Sequence, residues 1–229
     1  MKINHVHHMR KGFSLVELLV VIAIIAALAG VSYGPIMSKM KAADQIKAVA
    51  NGKNISTALI SFAGSNDGLY PNEDTANSSE NGDTAEGCFT QLINSGGIED
   101  EMIFWNTANI AAGTVTAARP DNDGELTSGE NCWGYVVNLS SSSSTRSPLF
   151  FDSSSQSGTF DTGVWQGRAI VGKIDGSVVA MEIDYGGGAP TEEDGSSKTG
   201  SITEKRGNSE VDIFSESALP KGAEVLVPN

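Results

Sequence analysis

Residues 13–31 carry one charged side chain, Glu17, and are otherwise apolar or small. At ~1.5 Å per residue such a run forms a helix of roughly 28 Å, close to the ~30 Å hydrocarbon core of a bilayer. A plain membrane anchor accounts for the hydropathy but not for Glu17, because an acid inside a spanning segment is costly and usually functional. The run begins directly after Arg10-Lys11-Gly12 and has no small-x-small cleavage site at its far end. That separates it from a secretory signal peptide.

A cut between Gly12 and Phe13 gives Glu17 a partner. The new α-amine at Phe13 lies one helical turn earlier on the same face. An acid in the first turn also complements the positive end of the helix dipole. In lipid, amine and carboxylate then neutralise each other, within one chain or between adjacent chains.

Arg10-Lys11-Gly12, followed by Phe13-Ser14-Leu15-Val16-Glu17-Leu18-Leu19-Val20 and the apolar run, resembles the prepilin leader and N-terminal helix of type IV pilins and type II secretion pseudopilins. The resemblance extends over about residues 10–29. It implies cleavage after Gly12 by a membrane prepilin peptidase, N-methylation of Phe13, and a role for Glu17 in assembly. It also implies partners: further copies in a helical filament, other pilin-like subunits, and an inner-membrane assembly platform.

Four segments follow: a cleaved leader (1–12), an assembly half of the helix (13–34), an amphipathic half (35–63), and an exported domain (64–229). Ser32-Tyr33-Gly34-Pro35 predicts a kink, since proline removes a helical hydrogen bond. The helix resumes with Ile36, Met40, Ala43, Ile46 or Lys47, Ala50, Ile55, Leu59 and Phe62 at three-and-four spacing, a stripe suited to covering a sheet. Gly52 is a weak spot in it rather than an end. Gly64-Ser65-Asn66-Asp67-Gly68 terminates it. The following Gly68-Leu69-Tyr70-Pro71 is similar to the segment after the long helix of major pseudopilins.

Residues 72–87 read as a polar mobile loop and 89–93 as a short helix ending near Gly96-Gly97. Residues 102–105 and 135–139 read as short strands. The serine-rich stretches 140–144 and 153–157 read as loops around Leu149-Phe150-Phe151. The clearest strand pattern is 169–174 and 177–183 joined by Asp175-Gly176, a hairpin signature. Gly186-Gly187-Gly188 breaks it. Residues 189–229 are polar and read as flexible, with 211–214 and 225–227 as candidate edge pieces. The expected fold is α+β and pilin-like: a long N-terminal helix on a small antiparallel sheet with a loop-rich C-terminal half.

Charge is unevenly placed. The leader holds Lys2, Arg10 and Lys11 and no acid, which favours a cytoplasmic N-terminus. Lys39, Lys41, Lys47 and Lys53 follow the apolar run with only Asp44 among them. Beyond Lys53, 8 basic residues face 26 acidic ones. So acidic a surface disfavours nucleic acid and suits solubility, cations or a basic partner. His5, His7 and His8 all lie in the leader, so the mature chain has no histidine for a triad or for zinc. No constellation of catalytic residues assembles, and the chain reads as a non-enzyme.

Cys88 and Cys132 are the only cysteines. In an exported domain the pair suggests a disulfide, with two buried free thiols as the alternative. Asp121, Asp123 and Glu125, with Glu130 nearby, have alternating spacing that can converge on calcium. Leu126 occupies the position where an EF-hand requires glycine, so the alternative is a solvated acidic turn. Glu192-Glu193-Asp194 reads as a solvated loop, and Trp105, Trp133 and Trp165 as core or subunit-contact residues. The sequence thus points to a pseudopilus subunit of a type II secretion system, single-pass in the inner membrane, with its domain exported to the periplasm or cell surface. A type IV pilin of a surface fibre and a monomeric, membrane-anchored ligand-binding protein are the alternatives.

Overall fold

The structure is a computed structural model that describes residues 13–77, 81–112, 118–152, 154–156, 158–185, 199–207 and 209–228. The leader with its histidines and Gly12, the 186–188 glycines and the 192–194 acids lie outside the described residues. The chain forms two units, Met1–Met40 and Lys41–Asn229. Helix α1, Leu15–Ser65, belongs to both.

In the first unit residues 13–32 are all exposed. The segment Leu15–Ser32 is long and apolar enough to cross a membrane. A helix that is apolar all round, with no described residue against it, requires lipid or protein as its surroundings.

The second unit is α+β. After α1 come α2 (Ala85–Asn94), α3 (Thr107–Ala112), β1 (Trp133–Val137), β2 (Pro148–Asp152), β3 (Ser154–Gln156), β4 (Thr159–Asp161), β5 (Arg168–Lys173), β6 (Val178–Glu182), β7 (Thr199–Gly200), β8 (Thr203–Arg206), β9 (Ser209–Asp212) and β10 (Glu224–Leu226). The main sheet has the order β10-β1-β2-β5-β6, antiparallel at every pairing. A small sheet, β3-β4-β7, and the hairpin β8-β9 complete the strands.

α1 lies on the main sheet through Ala48, Ile55, Leu59 and Phe62, all buried. Gly52 sets how near the helix approaches. A Cβ there would stand 2.9 Å from Val178 Cγ1 and 3.2 Å from the Trp133 ring. The sequence stripe is therefore half right: Ile55, Leu59 and Phe62 face the sheet, whereas Met40, Ala43, Ile46 and Ala50 are exposed. Ile46 and Ala50 lie on the side of the helix away from Ala48, Ile55 and Leu59, because the five-residue step from Ala50 to Ile55 breaks the three-and-four spacing that would hold one face. The helix stops where expected: Asp67 and Gly68 adopt positive φ (51° and 83°) and the Gly68 N–H donates to Ala63 O at 2.8 Å.

Within the sheet, Phe151 lies across from Gly134, and Phe150 across from Gly172. A Cβ at Gly134 would meet the Phe151 ring at 2.3 Å, and one at Gly172 the Phe150 ring at 2.1 Å. Each phenylalanine thus occupies the space a side chain would fill on the neighbouring strand. Because successive residues face opposite sides, the two rings enter two separate clusters. Phe150 stacks edge-on against Trp133, and Tyr135, two residues further along β1 on the same face, meets Phe89 of α2. Phe151 packs with Phe160 and Phe214 on the other side. The sheet is covered on both faces.

That second cluster overturns the expectation of a flexible C-terminal region for the described residues 199–207 and 209–228; residues 189–198 lie outside the described residues. Ile202, Ile213 and Phe214 are buried, and β10 pairs with β1. An ion cluster adds to this: Glu204 on β8 bonds Lys173 at the end of β5 and faces Arg146 at 3.5 Å. Other differences are local. Residues 101–104 form a 3-10 helix rather than a strand, started by the Asp100 side chain accepting from Met102 N at 3.0 Å. Ser154–Gln156 is a strand, not a loop. Within the expected mobile loop, Asn72 and Thr75 form a reciprocal capping box, and buried Gln91 holds Thr75 and the Asn72 carbonyl. The Asp175-Gly176 hairpin is as expected, with Gly176 at φ 84° between β5 and β6.

Candidate functional site

Two places concentrate the chemistry. The first is the start of α1. Ser14 Oγ accepts from Val16 N at 3.2 Å, and Glu17 Oε2 accepts from Ser14 N at 2.8 Å. Ser14 thus caps the helix through the second backbone donor and Glu17 reaches back to the cap N–H, which satisfies donors that the first helical turn leaves unpaired. Glu17 is thereby directed back toward the chain entering the helix, next to Phe13. The Ser14-x-x-Glu17 spacing is the local signal for this cap. Flanking Val16, Val20 and Val21 are exposed, so the carboxylate stands at the edge of a bare apolar surface.

The second place is the acidic turn at 121–125. The structure groups Asp121 and Asp123 with Glu101, their carboxylate oxygens all within 4.8 Å of one another, and leaves Glu125 out. Glu101 joins this group from outside the turn. It is buried, accepts from Asn122 N and Gly124 N at 2.7 Å each, and its own N–H donates to Asn122 Oδ1 at 3.0 Å. Asn122 and Gly124 have φ of 68° and 100°, which turns both N–H groups onto that carboxylate. No local pattern could reveal Glu101, since it lies twenty positions before Asp121. Glu130 is spent elsewhere, accepting from Thr127 N and Oγ1 at 2.7 Å. Three carboxylates suit a hard cation, yet calcium takes six to eight oxygens. Water would have to supply the remainder.

The bridge expected between Cys88 and Cys132 is absent. Both thiols are free and buried. Cys88, in the first turn of α2, donates to Gly82 O at 3.2 Å. Cys132 engages Asn106, accepting from its N–H at 3.4 Å. Burial pushes both thiols up, Cys132 to about 12 and Cys88 further, the latter also through Asp83 and Glu86. Protonated buried thiols are poor nucleophiles. Trp133 and Trp165 are core residues, and Trp165 donates to buried Asp152 at 2.6 Å. Trp105 is half-buried with the Arg119 guanidinium 5.9 Å from its ring centre.

A bare apolar helix with Glu17 in its first turn thus precedes a small α+β unit. Residues 7–33 match the family model of the prokaryotic N-terminal methylation motif. The motif is structural rather than enzymatic. It implies processing by a prepilin peptidase, membrane anchoring, and assembly as a pilus or pseudopilus subunit. No curated protein and no solved structure matches the chain.

Proposed function

We propose that the chain is a structural subunit of a type II secretion pseudopilus. The observation that carries this reading is the methylation motif over residues 7–33, whose bare apolar helix has Glu17 in its first turn. Prepilin peptidase cuts after Gly12 and methylates Phe13. The basic leader stays cytoplasmic and the acidic domain is exported. The helix waits in the inner membrane, then enters a filament core where neighbouring helices replace lipid. There Glu17 exchanges its bond to Ser14 N for the α-amine of an adjacent Phe13. This sets the axial register without leaving a buried charge unpaired. The Gly68-Leu69-Tyr70-Pro71 segment supports a pseudopilin over a surface pilin.

Glu17→Leu tests the mechanism. Insertion and cleavage continue, because the helix becomes more apolar and Gly12 is untouched, while filaments sheared from cells fall at least tenfold. Immunoblots of membrane and sheared fractions, with electron microscopy, give the measurement. Normal filaments from that variant as sole subunit would remove Glu17 from the mechanism. Retention of residues 1–12 beside an active peptidase would remove the class altogether. Deleting the gene then separates the two filament readings: a secretion defect marks a pseudopilus, loss of a surface fibre a pilus.

A further inference from the structure

From Leu18 to Ser38, α1 carries no charge, and the stretch is bounded by Glu17 at one end and Lys39 at the other. Those two residues are 22 positions apart. In a helix that is a rise of ~33 Å, against ~30 Å for the hydrocarbon core of a bilayer. With Glu17 at one boundary of the core, Lys39 stands just past the other, and Lys41 lies ~3 Å further along. The headgroup layer adds roughly 5–7 Å on each side, enough to hold both. Lys47 and Lys53 stand ~12 Å and ~21 Å beyond Lys39, outside that layer.

Helical side chains lean toward the N-terminus, which turns Lys39 and Lys41 back toward the apolar segment. A lysine in that position keeps its stem at the apolar boundary and its ammonium in the polar layer. Both residues are exposed, and among the described residues neither forms an ion pair. Asp44 is the one acid between Lys39 and Lys53. Solvation alone is served by either sign of charge, and beyond Lys53 the chain uses mostly acids. The choice of lysine at the boundary calls for an anionic partner.

We infer that Lys39 and Lys41 bind the phosphates of anionic phospholipid headgroups, in the leaflet opposite the one beside Glu17. The site is continuous with the membrane-spanning segment, and its charge is complementary to that of the lipid. The contact fixes the depth of the helix and makes the subunit held in the membrane sensitive to lipid charge. The inference rests on the membrane-anchored reading and adds to it a class of lipid.

The test uses the full chain, cleaved after Gly12, in phosphatidylcholine vesicles with a trace of spin-labelled phosphatidylglycerol or spin-labelled phosphatidylcholine. Electron spin resonance gives the fraction of each lipid that the protein immobilises, and so their relative affinity. A lysine near an anionic surface contributes roughly fivefold, so the expected preference for phosphatidylglycerol is at least threefold. Lys39→Gln with Lys41→Gln should abolish it, Lys39→Arg with Lys41→Arg should keep it, and Lys47→Gln with Lys53→Gln should leave it unchanged. High salt should weaken it. No preference in the unaltered chain, or one that survives the Lys39 and Lys41 glutamines, overturns the proposal. Equal loss with the Lys47 and Lys53 glutamines overturns it too, by marking a diffuse field rather than a contact at the boundary. Carbodiimide cross-links from Lys39 or Lys41 to carboxylates of another copy assign the lysines to a protein partner and overturn it as well. Release of the chain from the vesicles by an alkaline wash overturns the membrane-anchored reading itself, and shows before any lipid is compared.

Discussion

Leu18 and Leu59 belong to the same helix, yet Leu18 is 57% exposed and Leu59 fully buried. Around Leu59 the apolar residues form one stripe, because a sheet covers one side only. Around Leu18 they surround the helix, because the medium is to be apolar on every side. The difference separates two kinds of stability. The Lys41–Asn229 unit owes its order to contacts within the chain, whereas the apolar stretch derives its order from whatever encloses it.

The same substitution at the two positions gives the sharpest contrast. Leu59→Ala should cost the domain ~2–5 kcal/mol through the cavity it leaves. Leu18→Ala should leave the urea midpoint of domain unfolding unchanged, within ~0.5 kcal/mol. Equal losses would mean that the domain depends on the apolar stretch. Next in size is Glu101→Gln. Its carboxylate holds two backbone donors, and bonds to a charged acceptor contribute roughly 1.5–3 kcal/mol; thermal melts should register the loss.

The free thiols give a smaller, pH-dependent effect. Their folded-state values lie above the ordinary 9.0, so their contribution is complete below pH 9. It falls as pH rises further, because unfolded thiols ionise while folded ones stay protonated. Each contributes a slope of ~1.4 kcal/mol per pH unit. Urea titrations between pH 8 and 10.5 should show this, with Cys132→Ala removing part of it. A disulfide-bridged domain would show neither the slope nor alkylation on unfolding without reductant. The smallest change belongs to Glu182→Gln, which breaks an exposed pair with Arg168 at 3.7 Å. Such pairs contribute ~0.2–1 kcal/mol, and double-mutant cycles should measure it.

Sequence alone made the first unit legible, because both its signals are local: continuous hydropathy and the Gly12-Phe13…Glu17 spacing. The β5–β6 hairpin was legible for the same reason, its turn written as Asp175-Gly176. What escaped is long-range. Glu101 enters the acidic turn from twenty positions away, and Phe214 is ordered by Phe151 and Phe160. A polar stretch reads as flexible until the apolar face it covers is known. The cysteines erred in the same direction, since compartment and count favour a bridge but the fold gives each thiol its own acceptor.

The pairing of Tyr135 with Leu226 bears on when the domain can be completed. β1 waits for a strand about ninety residues further along, and closing so long a loop makes late, slow folding. During folding the chain therefore passes through a stage with β1 as an open edge, able to capture the same strand from a neighbour. Nascent copies crowded in a membrane are at risk of swapping β10 before they are finished. A chain shortened before Glu224 would remain permanently in that state and should aggregate rather than polymerise.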